Sequence, residues 1–290
     1  MNPALKALGF APGDRVMVLH ADDVGMCEPT LLAFAELAAA GTVTAGSVMV
    51  PCPGFAATAA YCREHLEVDA GVHLTLTSEW PAYRWGPIST GDPDSGLLDG
   101  EGYFHHDRAE VWERARPEAV TVELREQIRR ARQFGIDPTH ADGHMLAVFH
   151  PRLLASYVEI VLEEGLLPLL WWPRPGSRSP SGPESLELFE AWAERGVPVF
   201  DHLALIPLSR TGDRLEHARE LVDNLPAGLT WWLVHPAVDT PDLRRTIPDW
   251  RARVAELEAL RSPELLRQLR RRGIHCIGCR VLREVSGRAG

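Results

Sequence analysis

Short apolar runs alternate with longer amphipathic stretches from one end of the chain to the other. Val16-Met17-Val18-Leu19 is brief, partly β-branched and followed by a turn signal, so it reads as a buried strand. Pro29 to Ala40 reads as a helix, with proline in its first turn and Gly41 at its end. Ala45 to Val50 predicts a second strand, Phe55 to Glu64 a helix and Val68 to Leu76 a third strand. After a break come a helix at Glu118 to Phe134, a fourth strand at Pro138 to His144, a helix at Pro151 to Glu163 and a fifth strand at Leu166 to Trp172. Glu184 to Arg195 predicts a helix, Val197 to Leu205 a strand, Arg214 to Asn224 a helix and Leu229 to Val234 a strand. Ile247 to Leu260 predicts a helix, Ser262 caps another that runs to Arg272, and Ile274 to Ile277 is a candidate last strand.

Alternation of this kind implies a parallel sheet covered by helices, the α/β class. Seven or eight such units in 290 residues favour a (β/α) barrel over an open sheet. No repeat, low-complexity tract or linker divides the chain, so one domain over residues 1–290 is expected. Thr77 to Pro117 breaks the pattern with Pro, Gly, Asp and aromatics in no sustained period. Loops this long are usually functional or disordered, and the aromatics argue against disorder. A lid or substrate wall is expected there.

Composition adds exclusions. The chain is 45% hydrophobic and 24% charged, ordinary for a soluble globular protein. A formal charge of −10 disfavours a polyanionic partner, so no nucleic acid is expected. Arg267, Arg270, Arg271 and Arg272 fall at a predicted helix end, where cations suit the dipole. Five cysteines and no apolar signal core point to reduced thiols and a cytoplasmic location. No apolar run approaches about 18 residues, so no membrane span is expected. Cys276-Ile277-Gly278-Cys279 has no companion pair and reads as packing. Monomer and homo-oligomer both remain open.

Parallel barrels carry their sites at the C-terminal ends of the strands. The polar residues at those predicted exits are Asp22 and Asp23, His73, then His140, Asp142 and His144, then Arg174, and finally His235. Two adjacent carboxylates are unfavourable unless a cation or a shared proton offsets them. Asp-Asp by itself is equally a solvated turn, and a single histidine is usually structural. Several such groups at one rim favour a metal site instead. One carboxylate and two imidazoles suit a borderline divalent ion such as zinc, with a position left for water. His140, Asp142 and His144 alternate, so on an extended chain they share a face, and spare members can orient a ligand. Phosphate-loop, dinucleotide-loop, nucleophile-elbow and HExxH patterns are absent.

Ala21-Asp22-Asp23-Val24-Gly25, Gly71-Val72-His73-Leu74-Thr75-Leu76-Thr77 and Thr139-His140-Ala141-Asp142-Gly143-His144 together resemble the YdjC-like carbohydrate deacetylases. These include chitooligosaccharide and hopanoid-biosynthesis deacetylases, and the likeness runs from about Arg15 to Ile277. The resemblance implies a distorted NodB-like (β/α) barrel, one divalent metal ion, zinc or magnesium, and hydrolysis of an N-acetyl group on a sugar. It implies Asp23, His73 and His144 as metal ligands, Asp22 as general base, and His235 as acid or substrate contact. His140, Asp142 and Arg174 are then second-shell or substrate-binding candidates, as are Trp80 and Trp85. Gly143 and Leu146 depart from the family pattern, which has serine and histidine there; the latter change bears on substrate contact. The alternatives are a metal-dependent amidohydrolase acting on a non-sugar amide and a carbohydrate-binding protein without turnover.

Overall fold

The eight strands are β1 (Arg15–Val24), β2 (Ala45–Val48), β3 (Ala70–Leu74), β4 (His140–Gly143), β5 (Leu167–Pro168), β6 (His202–Leu205), β7 (Gly228–Val234) and β8 (Ile274–Cys276). They are seen in a computed structural model that describes residues 1–173 and 180–286. All pairings are parallel, in the order β5-β4-β3-β2-β1-β7-β6, with β8 also on β1. β1 is the hub. It runs beside β7 from Arg15 to Ala21, beside β8 in its first three residues and beside β2 thereafter. Every residue of β1 after Arg15 is buried, as a strand covered on both faces requires.

The sheet curls until its edges meet at one bridge, Trp171 to Phe200, where Phe200 N–H donates to the Leu170 carbonyl across 2.7 Å. The result is a distorted, barely closed barrel; the alternation predicts a barrel, and the family resemblance implies its distortion. Its edge strands are shorter than their apolar runs suggest. β5 contains Pro168 and the run before β6 contains Pro198, and neither has an N–H for a ladder.

Helices sheathe the outside, including Glu28–Ala39, Pro117–Gln133, Pro151–Glu163 and Trp250–Arg261. Four further helices, Pro3–Ala7, Arg108–Arg114, Pro241–Thr246 and Cys279–Val285, were not predicted. Each has seven residues or fewer, too few for a 3.6-residue period to show. Among the described residues no helix is long and apolar enough to cross a membrane.

The long segment after β3 is folded onto the barrel, with Trp85, Leu97 and Phe104 buried in the same core. Arg84 holds its two sides together, donating to Asp99 at 2.7 Å and to the Phe104 carbonyl at 2.6 Å. Buried Glu123, on the helix Pro117–Gln133, accepts from Ile88 N at 3.1 Å and from Ser89 N at 2.9 Å. Arg174 lies outside the described residues.

Candidate metal centre and active site

Strand alternation would send the side chains of Asp22 and Asp23 to opposite faces. β1 prevents this with a bulge. Ala21 pairs with Gly46 but Val24 pairs with Val48, so β1 carries one extra residue between them. Asp23 absorbs it at φ 59°, a left-handed conformation that aspartate tolerates better than most residues. Both carboxylates therefore reach the barrel interior.

Register places the next groups. β3 and β4 pair His73 with Asp142, and Asp142 Oδ1 lies 2.8 Å from His73 Nδ1. Ser47 Oγ of β2 is 3.0 Å from the same nitrogen. The carboxylate accepts a hydrogen bond from Nδ1–H, which leaves Nε2 as an acceptor. His144 follows β4 directly. Its Nε2 faces Glu79 Oε1 at 2.9 Å, which leaves Nδ1 as its acceptor. Met145 and Leu146 both have positive φ, 52° and 57°, so the chain turns sharply at once after this histidine.

Three acceptors now converge. Asp23 Oδ1 lies 3.4 Å from His73 Nε2 and 3.1 Å from His144 Nδ1, and the two nitrogens are 3.2 Å apart. All three residues are buried, and Asp23 Oδ1 has no well-formed hydrogen bond. Lone pairs gathered this closely repel unless a proton or cation lies among them. Tetrahedral ligands about 2.0–2.1 Å from a zinc ion stand roughly 3.3 Å from one another, so the donor set and its spacing fit one divalent ion.

Asp23 Oδ2 points away from this group and accepts from Arg253 Nη1 at 2.7 Å. Burial alone would raise the Asp23 pKa, but Arg253 and the two imidazoles hold it well below the usual carboxylate range. Burial likewise opposes charge on His144, yet Glu79 and Asp23 push its pKa up to about 9. Arg253 and Glu79 escaped the sequence reading. Glu79 is a carboxylate in the segment leaving β3. Arg253 interrupts the apolar stripe Trp250, Val254, Leu257 on its helix, a signal of a charge facing inward.

Asp22 has a carboxylate oxygen within 4.8 Å of one of Asp142, the partner of His73, and is 7% exposed. Its Oδ1 meets His20 Nδ1 at 2.7 Å, and its Oδ2 lies 4.0 Å from His235 Nε2. His235 follows β7, whose Val234 pairs with Ala21, so register brings it level with Asp22. Its backbone N–H donates to buried Glu256 Oε2 at 2.6 Å. Burial raises the pKa of Glu256 despite His235, Arg214 and Arg253 nearby.

Other expected residues fall farther from the opening. His140 is wholly buried beside His20, which excludes direct substrate contact. Trp85 is 3% exposed, packs 6.3 Å from the His144 ring and donates its indole N–H to Thr77 O, so it offers no face to a ligand. Trp80 is half-buried, with the Arg253 guanidinium 5.6 Å from its ring.

A family model described as YdjC-like protein matches residues 16–271. The chain belongs to this family. A Thermus thermophilus protein named carbohydrate deacetylase is 36% identical over 97% of this chain and 98% of its own length. A Geobacillus stearothermophilus protein of the same name is 28% identical over 91% of this chain and 96% of its own. The crystal structure of an Enterococcus faecalis V583 protein, described as a candidate cellobiose-phosphate cleavage protein, shares the fold. It superposes with a TM-score of 0.78 at 24% identity, over 93% of this chain and 99% of that one.

Proposed function

We propose that the chain is a metal-dependent carbohydrate deacetylase, a hydrolase that removes the N-acetyl group from an amino sugar or oligosaccharide. One observation carries this reading. In a member of the YdjC-like family, three acceptor atoms of Asp23, His73 and His144 converge near the carboxylate of Asp22, whose Oδ1 is held by His20. Relatives named carbohydrate deacetylase cover nearly the whole chain, which supports the sugar as substrate.

Asp23 Oδ1, His73 Nε2 and His144 Nδ1 would hold the ion, and two nitrogens with one oxygen favour zinc over magnesium. When bound, a divalent ion supplies the Lewis acidity that an unreactive acetamide needs. Asp142 and Glu79 fix the tautomers of the two histidines, so the acceptor nitrogens face inward. Asp22 Oδ2 takes a proton from the attacking water. The water oxygen bonds to the acetyl carbon, and the C–N bond breaks. His235 is 20% exposed on its side chain and stands across from Asp22, where it gives the leaving amine its proton. The half-buried Trp80 offers a ring for a sugar to stack on. The five cysteines are all free, which fits a reducing compartment such as the cytoplasm.

Acetate release from a panel of N-acetylated oligosaccharides, with and without added zinc or magnesium, tests the reading. Metal-dependent release from sugars supports it. Release only from non-sugar amides would replace the substrate class, and binding without release would replace the enzyme with a lectin-like protein.

A further inference from the structure

Behind Asp22 runs a row of buried polar side chains that the reaction just described does not use. Asp22 Oδ1 lies 2.7 Å from His20 Nδ1. His20 Nε2 lies 2.8 Å from His140 Nε2, and His140 Nδ1 lies 2.8 Å from Thr139 Oγ1. Thr139 Oγ1 also stands within hydrogen-bond reach of Asp69, which accepts from the backbone N–H of Arg280 at 2.7 Å. Both imidazoles are wholly buried.

The barrel makes room for this pair. A Cβ on Gly71 would stand 2.4 Å from His140 Nε2, so only glycine at that point of β3 admits the ring. The ring of Trp231 meets His20 edge-on at 5.8 Å. Apolar side chains would fill the same space without the desolvation cost of two imidazoles. All four ring nitrogens are engaged, and the 2.8 Å contact between the rings needs one proton between them. Neither ring can turn without losing a bond. A carboxylate whose one oxygen is held by such a ring cannot turn either.

We propose that His20, backed by His140, is a positioning residue for Asp22. It anchors Oδ1 and so aims Oδ2 at the reacting water. This rests on the reading of Asp22 as general base. A base displaced by about 1 Å can lose on the order of a hundredfold in rate.

The test measures kcat, KM, bound zinc and melting temperature for His20→Leu and His20→Asn, each alone and combined with Asp22→Asn. Leucine fills the space without a donor. The asparagine amide nitrogen stands about where Nδ1 stands and keeps the donor. The expected result is a loss of at least about tenfold in kcat for His20→Leu, with KM within about twofold and zinc retained. His20→Asn should recover most of that loss. In the Asp22→Asn background His20→Leu should cost less than about threefold more, because residues acting as a unit are not additive.

A His20→Leu enzyme with full kcat would overturn the proposal, as would equal losses for leucine and asparagine or losses that multiply in the double variant. If His20→Leu does not fold, Gly71→Ala presses on His140 without touching Asp22. It should lower kcat at constant KM and zinc content, and an unchanged kcat there also overturns the proposal. Unimpaired turnover in Asp22→Asn alone would remove the general-base reading itself, and the positioning role with it. The His20 variants failing while Asp22→Asn is inactive would remove only the positioning role.

Discussion

Arg253 and Asp23 stand 230 positions apart in the chain and meet in a buried ion pair of 2.7 Å. The pair occupies Asp23 Oδ2, so Oδ1 is the oxygen left to face His73 and His144. Removing one partner of a buried pair leaves an uncompensated charge and typically costs about 3–5 kcal/mol. Arg253→Met is therefore expected to lower stability in chelator by that order. A cation at Oδ1 supplies part of the missing charge, so the loss should be smaller in saturating zinc. Denaturant melts under both conditions check this, and equal losses would mean that Arg253 supports packing and not the carboxylate.

Zinc binding should weaken as pH falls. Despite burial, Glu79 and Asp23 push the His144 pKa up to about 9, so without a cation its ring is protonated at neutral pH. Binding must displace that proton, so calorimetry in two buffers of different ionisation enthalpy should show proton release below pH about 9. The sign for stability is opposite. In chelator, a raised folded-state pKa contributes stability that is full below the unfolded value of about 6.5 and is lost as pH rises through about 9. Glu79→Gln removes the largest cause of the upward shift and the anchor on Nε2. It should flatten both pH dependences and weaken zinc binding by about 10–100-fold.

Asp22→Asn should bind zinc as the parent chain does and lose turnover. The substitution preserves shape but removes the carboxylate proposed as general base, and a positioned general base contributes about 10²–10⁴-fold. Zinc analysis beside kcat separates the two effects. Near-normal kcat would move the base role to another carboxylate, with Asp142 the nearest alternative.

His235→Ala should be selective in its damage. If His235 protonates the departing amine, amides whose leaving groups need no proton should suffer least. Comparing N-acetyl sugars with activated acetanilides reads this directly. Equal losses on both would make His235 a substrate contact.

Local sequence determined the strands, most of the helices and the residues that leave the strand ends. Apolar runs such as Val16–Leu19 must be buried, and the spacing of turn and cap residues limits how long each element can be. Backbone alternation puts His140 and Asp142 on one face of β4, and His144 lies just past the strand's end. Depth does not follow from alternation. Parallel register sets His73 against Asp142, which leaves His144 at the opening and puts His140 deeper beside His20. The bulge that turns Asp23 inward exists because β1 and β2 pair out of step, and no run of residues in either strand states that offset. Arg253 shows the limit most plainly. Its place on an apolar helix stripe declares that a charge is buried, because periodicity is a local property. Which carboxylate answers it depends on how a helix near the end of the chain packs over the first strand, and only the folded barrel brings them together.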